Sequence, residues 1–294
     1  MLKSKEIENF WDQHPVGENF VAYKNEDETF FSRYDEFRYR TEGHILQELD
    51  KIDFRNKKVL EIGIGQAADS AQIVQRGGNY YGIDLTPTSV SRLKTRFKVA
   101  RLPFKEVNVA NAEHIAYPDN FFDIVYSHGV IHHSPNIKTI VAQIHRVLKP
   151  GGVAVIMLYH KQSINYYFSI AFLRRIGLCT LMIAPFLNSL FRKMTGEDVE
   201  RINQHRKNIR QQGVSYLKMK NFIHKSTDGP LNVYSSVWTD KTAKKLFEDF
   251  TDVKTDIHFL NERHLLGIQR ILPLKLKNAI AQKYGWHLWI KATK

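Results

Sequence analysis

Cysteine is nearly absent: Cys179 is the single one in 294 residues, so no disulfide can form within the chain, and a reducing, cytoplasmic setting is the default expectation. The opening MLKSKEIENFWDQHP has no apolar core of the kind a secretory leader requires. Long hydrophobic runs are also missing. In the apolar segment Ile164 to Phe191 the longest uncharged stretch, Ile176 to Phe191, is shorter than the ~20 residues a spanning helix needs. Neither internal repeats nor low-complexity tracts occur. A P-loop lysine motif, a G-x-S-x-G elbow and a C-x-x-C pair are all lacking, which removes the chemistries they carry. Acidic residues are scarce in one half only. Residues 1–159 hold 20 Lys+Arg against 20 Asp+Glu and residues 160–294 hold 23 against 10, so the whole net charge of +13 belongs to the second half. It is densest over Arg192–Lys225 and Arg263–Lys294. Such a field speaks to anionic substrates, acidic membrane surfaces or nucleic acid, or to a solvated basic surface, and not to fold.

The chain does have apolar content, 43% of its residues, enough for one large core or for one core with an elaborate cap. Its most informative segment is VLEIGIGQAADSAQIVQRGGNYYGIDL, residues 59–85. Val59, Leu60 and Ile62 form a short buried-strand run, and Gly63 and Gly65 permit a tight turn that opens a helix. A second strand follows and ends at Asp84, whose carboxylate can accept both hydroxyls of a ribose. A dinucleotide site would want a third glycine where Ala68 stands. Further on, Thr86-Pro87 and Ser134-Pro135 each read as a cap with a proline at the first helical position. The first predicts a helix over about 87–99. The second precedes Ile137, Ile140, Val141, Ile144 and Leu148, an apolar face at helical spacing. Alternating strands and helices imply a parallel sheet covered on both faces.

The run Glu61, Gly63, Gly65, Ala67 resembles the first motif of class I S-adenosylmethionine-dependent methyltransferases. The resemblance continues through Gly82-Ile83-Asp84-Leu85, Asn111-Ala112-Glu113, Phe122 to Ser127, Val130-Ile131-His132-His133 and Leu148-Lys149-Pro150-Gly151-Gly152, over roughly a hundred residues. It is strongest toward the ubiquinone-biosynthesis-type small-molecule methyltransferases. It implies an α/β fold with a Rossmann-like, mostly parallel seven-stranded sheet, and S-adenosyl-L-methionine as cofactor. Four segments are expected: an N-terminal helical cap (1–56), the cofactor-binding core (57–160), a basic and apolar helical lid insertion (161–233), and a C-terminal helix with edge strands (234–294). The cap should contain a helix over Tyr34–Leu49, with Trp11, His14 and Pro15 in an irregular stretch before it. The last major helix is expected at Thr239–Phe250, and a terminal strand pair at Val253–Phe259 and His287–Thr293.

The resemblance also implies roles. Glu61, Gly63 and Gly65 would flank the methionine part of the cofactor, and Asp84 would bind the ribose with Leu85 beside the adenine. Asn111 stands where many relatives carry Asp and would meet the adenine amino group, unless it only caps the next segment. Ala112 would offer its N–H, and Ser127 would lie near the sulfonium. Methyl transfer needs alignment in a dry pocket, and a base only where the acceptor loses a proton. His133, His132 and His160 are the candidate bases, each with a packed or capping histidine as the alternative. Trp11, His14 and Tyr159 are candidate substrate contacts. His128 and His132 share i, i+4 spacing, but no third ligand is apparent, so no metal is expected. The favoured acceptor is a small or medium-sized organic molecule, anionic or amphipathic. RNA or a peptide bound by the basic half is the second class, and a non-catalytic cofactor-binding protein is the third. The apolar insertion reads as a buried or lid helix pair, or as a helix lying on a membrane surface or on a partner, with a membrane span the least favoured reading.

Overall fold

The computed structural model describes residues 2–17, 28–183, 186, 189, 198–261 and 272–294. Parts of the apolar segment 164–191 and of the basic stretches 192–225 and 263–294 therefore lie outside the described residues.

Seven strands form one sheet in the order β3-β2-β1-β4-β5-β7-β6. Their bounds are β1 Lys58–Ile62, β2 Asn79–Asp84, β3 Glu106–Val109, β4 Phe122–His128, β5 Leu148–Tyr159, β6 Thr251–His258 and β7 His287–Thr293. Strands β3, β2, β1, β4 and β5 run parallel. β1 lies between β2 and β4, with Leu60 opposite Tyr81 on one side and Val125 on the other. A strand paired and covered on both sides is mostly apolar, and Val59, Leu60 and Ile62 are buried, with Glu61 the buried polar exception. The strand order reverses between β1 and β4, so the crevice for a ligand opens at their carboxyl ends.

Helices α1 Leu2–Gln13, α2 Glu28–Thr41 and α3 His44–Asp50 precede the sheet. Helices α4 Ala68–Gln75, α5 Pro87–Val99 and α6 Ile137–Val147 connect its strands. The Thr86 hydroxyl caps α5 by accepting Ser89 N–H, with Pro87 at the first helical position. In α6 the apolar stripe Ile137, Ile140, Val141, Ile144 and Val147 is buried. Its helix starts at Asn136, and the Ser134 hydroxyl accepts Asn136 N–H at 2.9 Å, so the serine shapes the turn before the cap.

Chain contacts divide the protein into two compact units. The first comprises Met1–Leu158, Asp240–Thr255 and Trp289–Lys294; the second comprises Tyr159–Thr239 and Asp256–Leu288. The second unit is helical. A π-helix, Asn165–Arg174, runs into α7 Arg175–Ile183, followed by α8 Val199–Gln212, α9 Met219–Ser226 and, after α10 Asp240–Leu246 of the first unit, α11 Leu274–Tyr284. Ile170, Leu178, Tyr216, Phe222, Ile223 and Trp286 form its core. Polar ties within it include His205 Nδ1 to Tyr216 OH at 2.6 Å and Arg174 Nη1 donating to Ser226 O at 2.7 Å. No helix among the described residues is long and apolar enough to cross a membrane.

Three expectations shift, and one helix was not expected at all. Trp11 lies inside α1, which continues to Gln13 and stops just ahead of Pro15, whose ring disfavours helix in the residue before it. The helix expected over Tyr34–Leu49 is two helices, α2 and α3, broken at Glu42-Gly43, where glycine is a poor helix former. The helix expected over Thr239–Phe250 ends at Leu246, leaving four residues to turn into β6. α11 was not legible because none of its residues is buried, and so no apolar period marks it.

Ion pairs tie the first unit's cap to its core: Arg96 of α5 pairs with Asp35 of α2, and a largely buried pair joins α2 to α4. Arg38 of α2 donates to both carboxylate oxygens of Asp69 on α4, at 3.0 and 2.7 Å, and Asp69 also accepts Tyr39 OH and Tyr126 OH. Removing one partner of such a pair strands a buried charge. Arg38→Met should cost about 3–5 kcal/mol in a urea titration, and Arg38→Lys, which cannot form the two-pronged contact, should recover only part of it.

Candidate active site

The turn after β1 is held by one carboxylate. Asp84, at the end of β2, accepts Ile64 N–H at 2.7 Å and Gly65 N–H at 3.3 Å on Oδ2. Its Oδ1 accepts the N–H and the hydroxyl of Thr86, each at 2.8 Å. Each oxygen thus already meets two donors, the Gly65 contact being the longest of the four. Burial pushes the Asp84 carboxyl up, while the Thr86, Ile64 and Gly65 donors oppose that shift.

Gly63 has φ +84°, and a Cβ there would stand 2.2 Å from Val130 Cγ2 on the loop after β4. Gly65 has φ +55° with nothing within 4 Å of its Cβ position, so the turn opens on that side. Ala67 takes φ +57° as the residue before α4, a conformation that L-residues adopt at a penalty. Gln66 is buried; its Nε2 donates to Val16 O at 2.8 Å, and its Oε1 has no hydrogen-bond partner among the described residues.

Other sequence-predicted residues sit as follows. Glu61 is turned into the core, 2% exposed, and its Oε2 accepts the Ser70 hydroxyl and Tyr80 OH. Leu85, Asn111 and Ala112 are half-buried at the ends of β2 and β3. Asn111 Oδ1 accepts Glu113 N–H at 2.9 Å, the capping arrangement, which leaves its amide nitrogen outside that bond. The Ser127 hydroxyl donates to Ile62 O at 2.8 Å, fastening β4 to β1. His132 and His133 occupy a short 3-10 turn, Ile131–His133, and both are buried. Trp11 meets His133 edge-on, with ring centroids 4.9 Å apart, and His132 lies 4.4 Å from His133. His14 is exposed, stacks on Phe10 and contacts Phe10 O through Nδ1.

Tyr159 and His160 belong to the helical unit. Tyr159 OH donates to Asp228 Oδ1 at 2.9 Å and its ring stacks on Trp286; His160 Nδ1 lies 2.9 Å from Gly285 O. The first unit thus gathers Gly63, Gly65, Asp84 and Ser127 at the β1, β2 and β4 ends, and Trp11 with His132 and His133. Sequence reasoning missed Gln66, Arg38 and Asp69. A polar residue inside the glycine turn was the available signal for Gln66.

Electrostatics separate the buried acids. Burial acts to raise the Asp69 carboxyl, but Arg38 overcomes it and holds the group well below the usual carboxylate range. Its contribution to stability is present above about pH 4 and is lost as pH falls. Glu61 moves the other way. Burial, reinforced by the neighbouring Asp69 charge and opposed by the Ser70 and Tyr80 hydroxyls, raises it to about 8, so it is protonated at neutral pH. Burial also drives His132 well below its ordinary value, and brings His128, beside Arg38, down to about 3.

Residues 60–156 match the family described as Methyltransferase domain. The chain is 26% identical over 201 residues to phosphoethanolamine N-methyltransferase 2 of Caenorhabditis elegans, covering 64% of this chain and 45% of that protein. It is 28% identical over 124 residues to a ubiquinone biosynthesis O-methyltransferase of Pseudomonas aeruginosa, covering 41% and 52%. A fatty-acid O-methyltransferase of Mycolicibacterium smegmatis matches at 29% over 104 residues, covering 35% and 37%. The chain thus spans about half or less of the length of these curated relatives. Among solved structures, the PH0226 protein of Pyrococcus horikoshii shares the fold at TM-score 0.51 and 15% identity, covering 94% of this chain and 98% of that one. A SAM-dependent methyltransferase of Thermotoga maritima does so at TM-score 0.50 and 13% identity, covering 90% and 96%. Residues 60–156 therefore resemble the methyltransferase family, and the chain shares its fold with solved S-adenosylmethionine-dependent methyltransferases.

The family implies S-adenosyl-L-methionine as cofactor, and the turn fits it. Gly65 leaves open space where a side chain would stand, and Gln66 Oε1 is a buried acceptor awaiting a donor such as an ammonium.

The pH dependence follows from Glu61. A carboxyl raised from 4.5 to about 8 contributes stability fully present below pH 4.5 and lost as pH rises to about 8. Denaturant titrations across that window should show Glu61→Gln gaining on the parent by up to about 1.4 kcal/mol per pH unit, then staying level above it. Parallel curves for the two proteins would mean that Glu61 is ionised throughout.

Proposed function

We propose that the chain is an S-adenosylmethionine-dependent methyltransferase acting on a small or medium-sized, anionic or amphipathic organic acceptor. The observation that carries this reading is the glycine turn, tied to Asp84 and open at Gly65, inside the segment that matches the methyltransferase family. Relatives named for phosphoethanolamine, ubiquinone biosynthesis and fatty acids support the acceptor class, as does the excess of cations after residue 159. Part of the same proposal is that the helical insertion after Leu158 serves as a lid that governs acceptor choice.

In this reading Gly63 and Gly65 let the backbone approach the methionine part, and Gln66 offers its free acceptor. Asp84 shares its oxygens between the turn and the ribose, while Leu85, Asn111 and Ala112 flank the adenine. Glu61 acts through the turn, as a neutral buried group beneath it. The bound cofactor supplies a methyl group already activated on a sulfonium. What remains for the protein is to align the acceptor and exclude water, which together can save roughly 7–11 kcal/mol. His132, kept neutral by burial, is a poor proton acceptor. His133, bracketed by Trp11 and His132, is the assigned base or acceptor contact. Tyr159 and His160 are engaged inside the helical unit and take no proton role.

Calorimetry with S-adenosylhomocysteine tests the cofactor half. The parent chain should bind it, and Asp84→Asn should weaken binding and lower stability by about 1–3 kcal/mol, because a buried N–H loses its acceptor. No heat of binding to the parent would overturn the enzyme reading. For the acceptor half, His133→Gln should leave that affinity within about twofold and lower turnover about 10² to 10⁴-fold with an acceptor that must lose a proton. Unchanged turnover with such an acceptor would remove His133 from the reaction.

A further inference from the structure

The helical unit carries an exposed face that its own core does not use. Along the π-helix and α7, Ser169, Ile170, Leu178 and Leu181 point inward, while Tyr167 is 56%, Phe168 37%, Phe172 54% and Ile176 50% exposed. Phe168, Phe172 and Ile176 recur every four residues and so follow one another on successive turns. Single exposed apolar side chains are ordinary, but a contiguous stripe of this kind marks an interaction surface.

Charge identifies the occupant. No Asp or Glu occurs between Asp123 and Glu197, so the stripe's own segment contributes only cations, Arg174 and Arg175 among them. The unit as a whole holds 17 Lys+Arg against 6 Asp+Glu. α7 packs against α8, where Arg206, Lys207 and Arg210, with Asn203 and Gln211, line a cavity of about 330 Å³. Two copies meeting through such units would bring like charge against like charge. A nucleic acid would answer the cations but leave Ile176 without a partner. An anionic bilayer answers both features, since its headgroups attract the cations and the boundary with its acyl chains takes aromatic and aliphatic side chains. No described helix is built to span it, so the contact is peripheral.

We propose that the helical unit docks on an anionic lipid bilayer, with Phe168, Phe172 and Ile176 entering the headgroup–acyl boundary and the α8 cations drawing the unit to the surface. This docking is independent of the methyl-transfer reading.

Flotation of the full chain with vesicles tests it. Mixed phosphatidylcholine–phosphatidylglycerol vesicles should bind the chain at least about tenfold better than phosphatidylcholine alone, with an affinity that falls as salt rises. The combined change Phe168→Ser, Phe172→Ser and Ile176→Ser should weaken that binding about tenfold or more. Arg206→Gln, Lys207→Gln and Arg210→Gln together should do the same and flatten the salt dependence. Unaltered circular dichroism confirms folding, and Phe172→Ser alone serves if the triple variant does not fold. Three results would each overturn the proposal: no binding to the mixed vesicles, full binding by the serine variant, or a self-associated parent that the serine variant converts to a monomer.

Discussion

Four hydrogen bonds converge on the buried Asp84 carboxylate, and the glycine turn has its observed shape because of them. Two come from the turn and two from Thr86 at the start of α5, so a single side chain joins the end of β1 to the end of β2 and to the next helix. Backbone N–H groups in a tight turn have no neighbouring carbonyl to bond, and without an acceptor they would be buried unsatisfied. The carboxylate therefore has a structural task before any ligand arrives. A ribose that binds there joins a set of bonds already made.

A second anchor acts at right angles to the first in the logic of the fold. Arg38 reaches from the N-terminal helices to Asp69 in the first turn of α4, and the same carboxylate collects hydroxyls from α2 and from β4. Asp69 remains charged, while Glu61, close enough to feel that charge, stays neutral. Two acids in one core, separated in function by a single guanidinium, allow β1 to be buried on both sides without an unpaired charge. Gln66 adds a lighter tie, holding Val16 beside the turn.

How much of this was legible beforehand depended on whether a residue's task was local. β1, β2 and α5 announced themselves through an apolar run, a glycine turn and a Thr-Pro cap, all of which act on near neighbours. The parallel order of the core followed from the alternation of strands and helices. By contrast, the Arg38–Asp69 pair joins residues 31 positions apart, and nothing in either neighbourhood signals the other. Glu61 was legible as a motif residue, but its side chain direction was not, because that depends on Tyr80 arriving from β2. Asn111 shows the same limit: its oxygen serves Glu113, two residues away, which is the short-range option that Asn commonly takes. The helix over 274–284 left no trace in the hydrophobic pattern because it buries nothing.

Gly63 and Gly65 look equivalent in the sequence, yet they are constrained differently. Gly63 is barred from carrying a side chain twice over, by its positive φ and by Val130, whose methyl groups already occupy the space. Gly65 is barred by φ alone. Substitution by Asn, which tolerates the left-handed region, is therefore open at 65 and closed at 63. Over descent the first position should stay fixed in company with the residue at 130, whereas the second answers only to its own backbone conformation and to whatever ligand takes the space beside it.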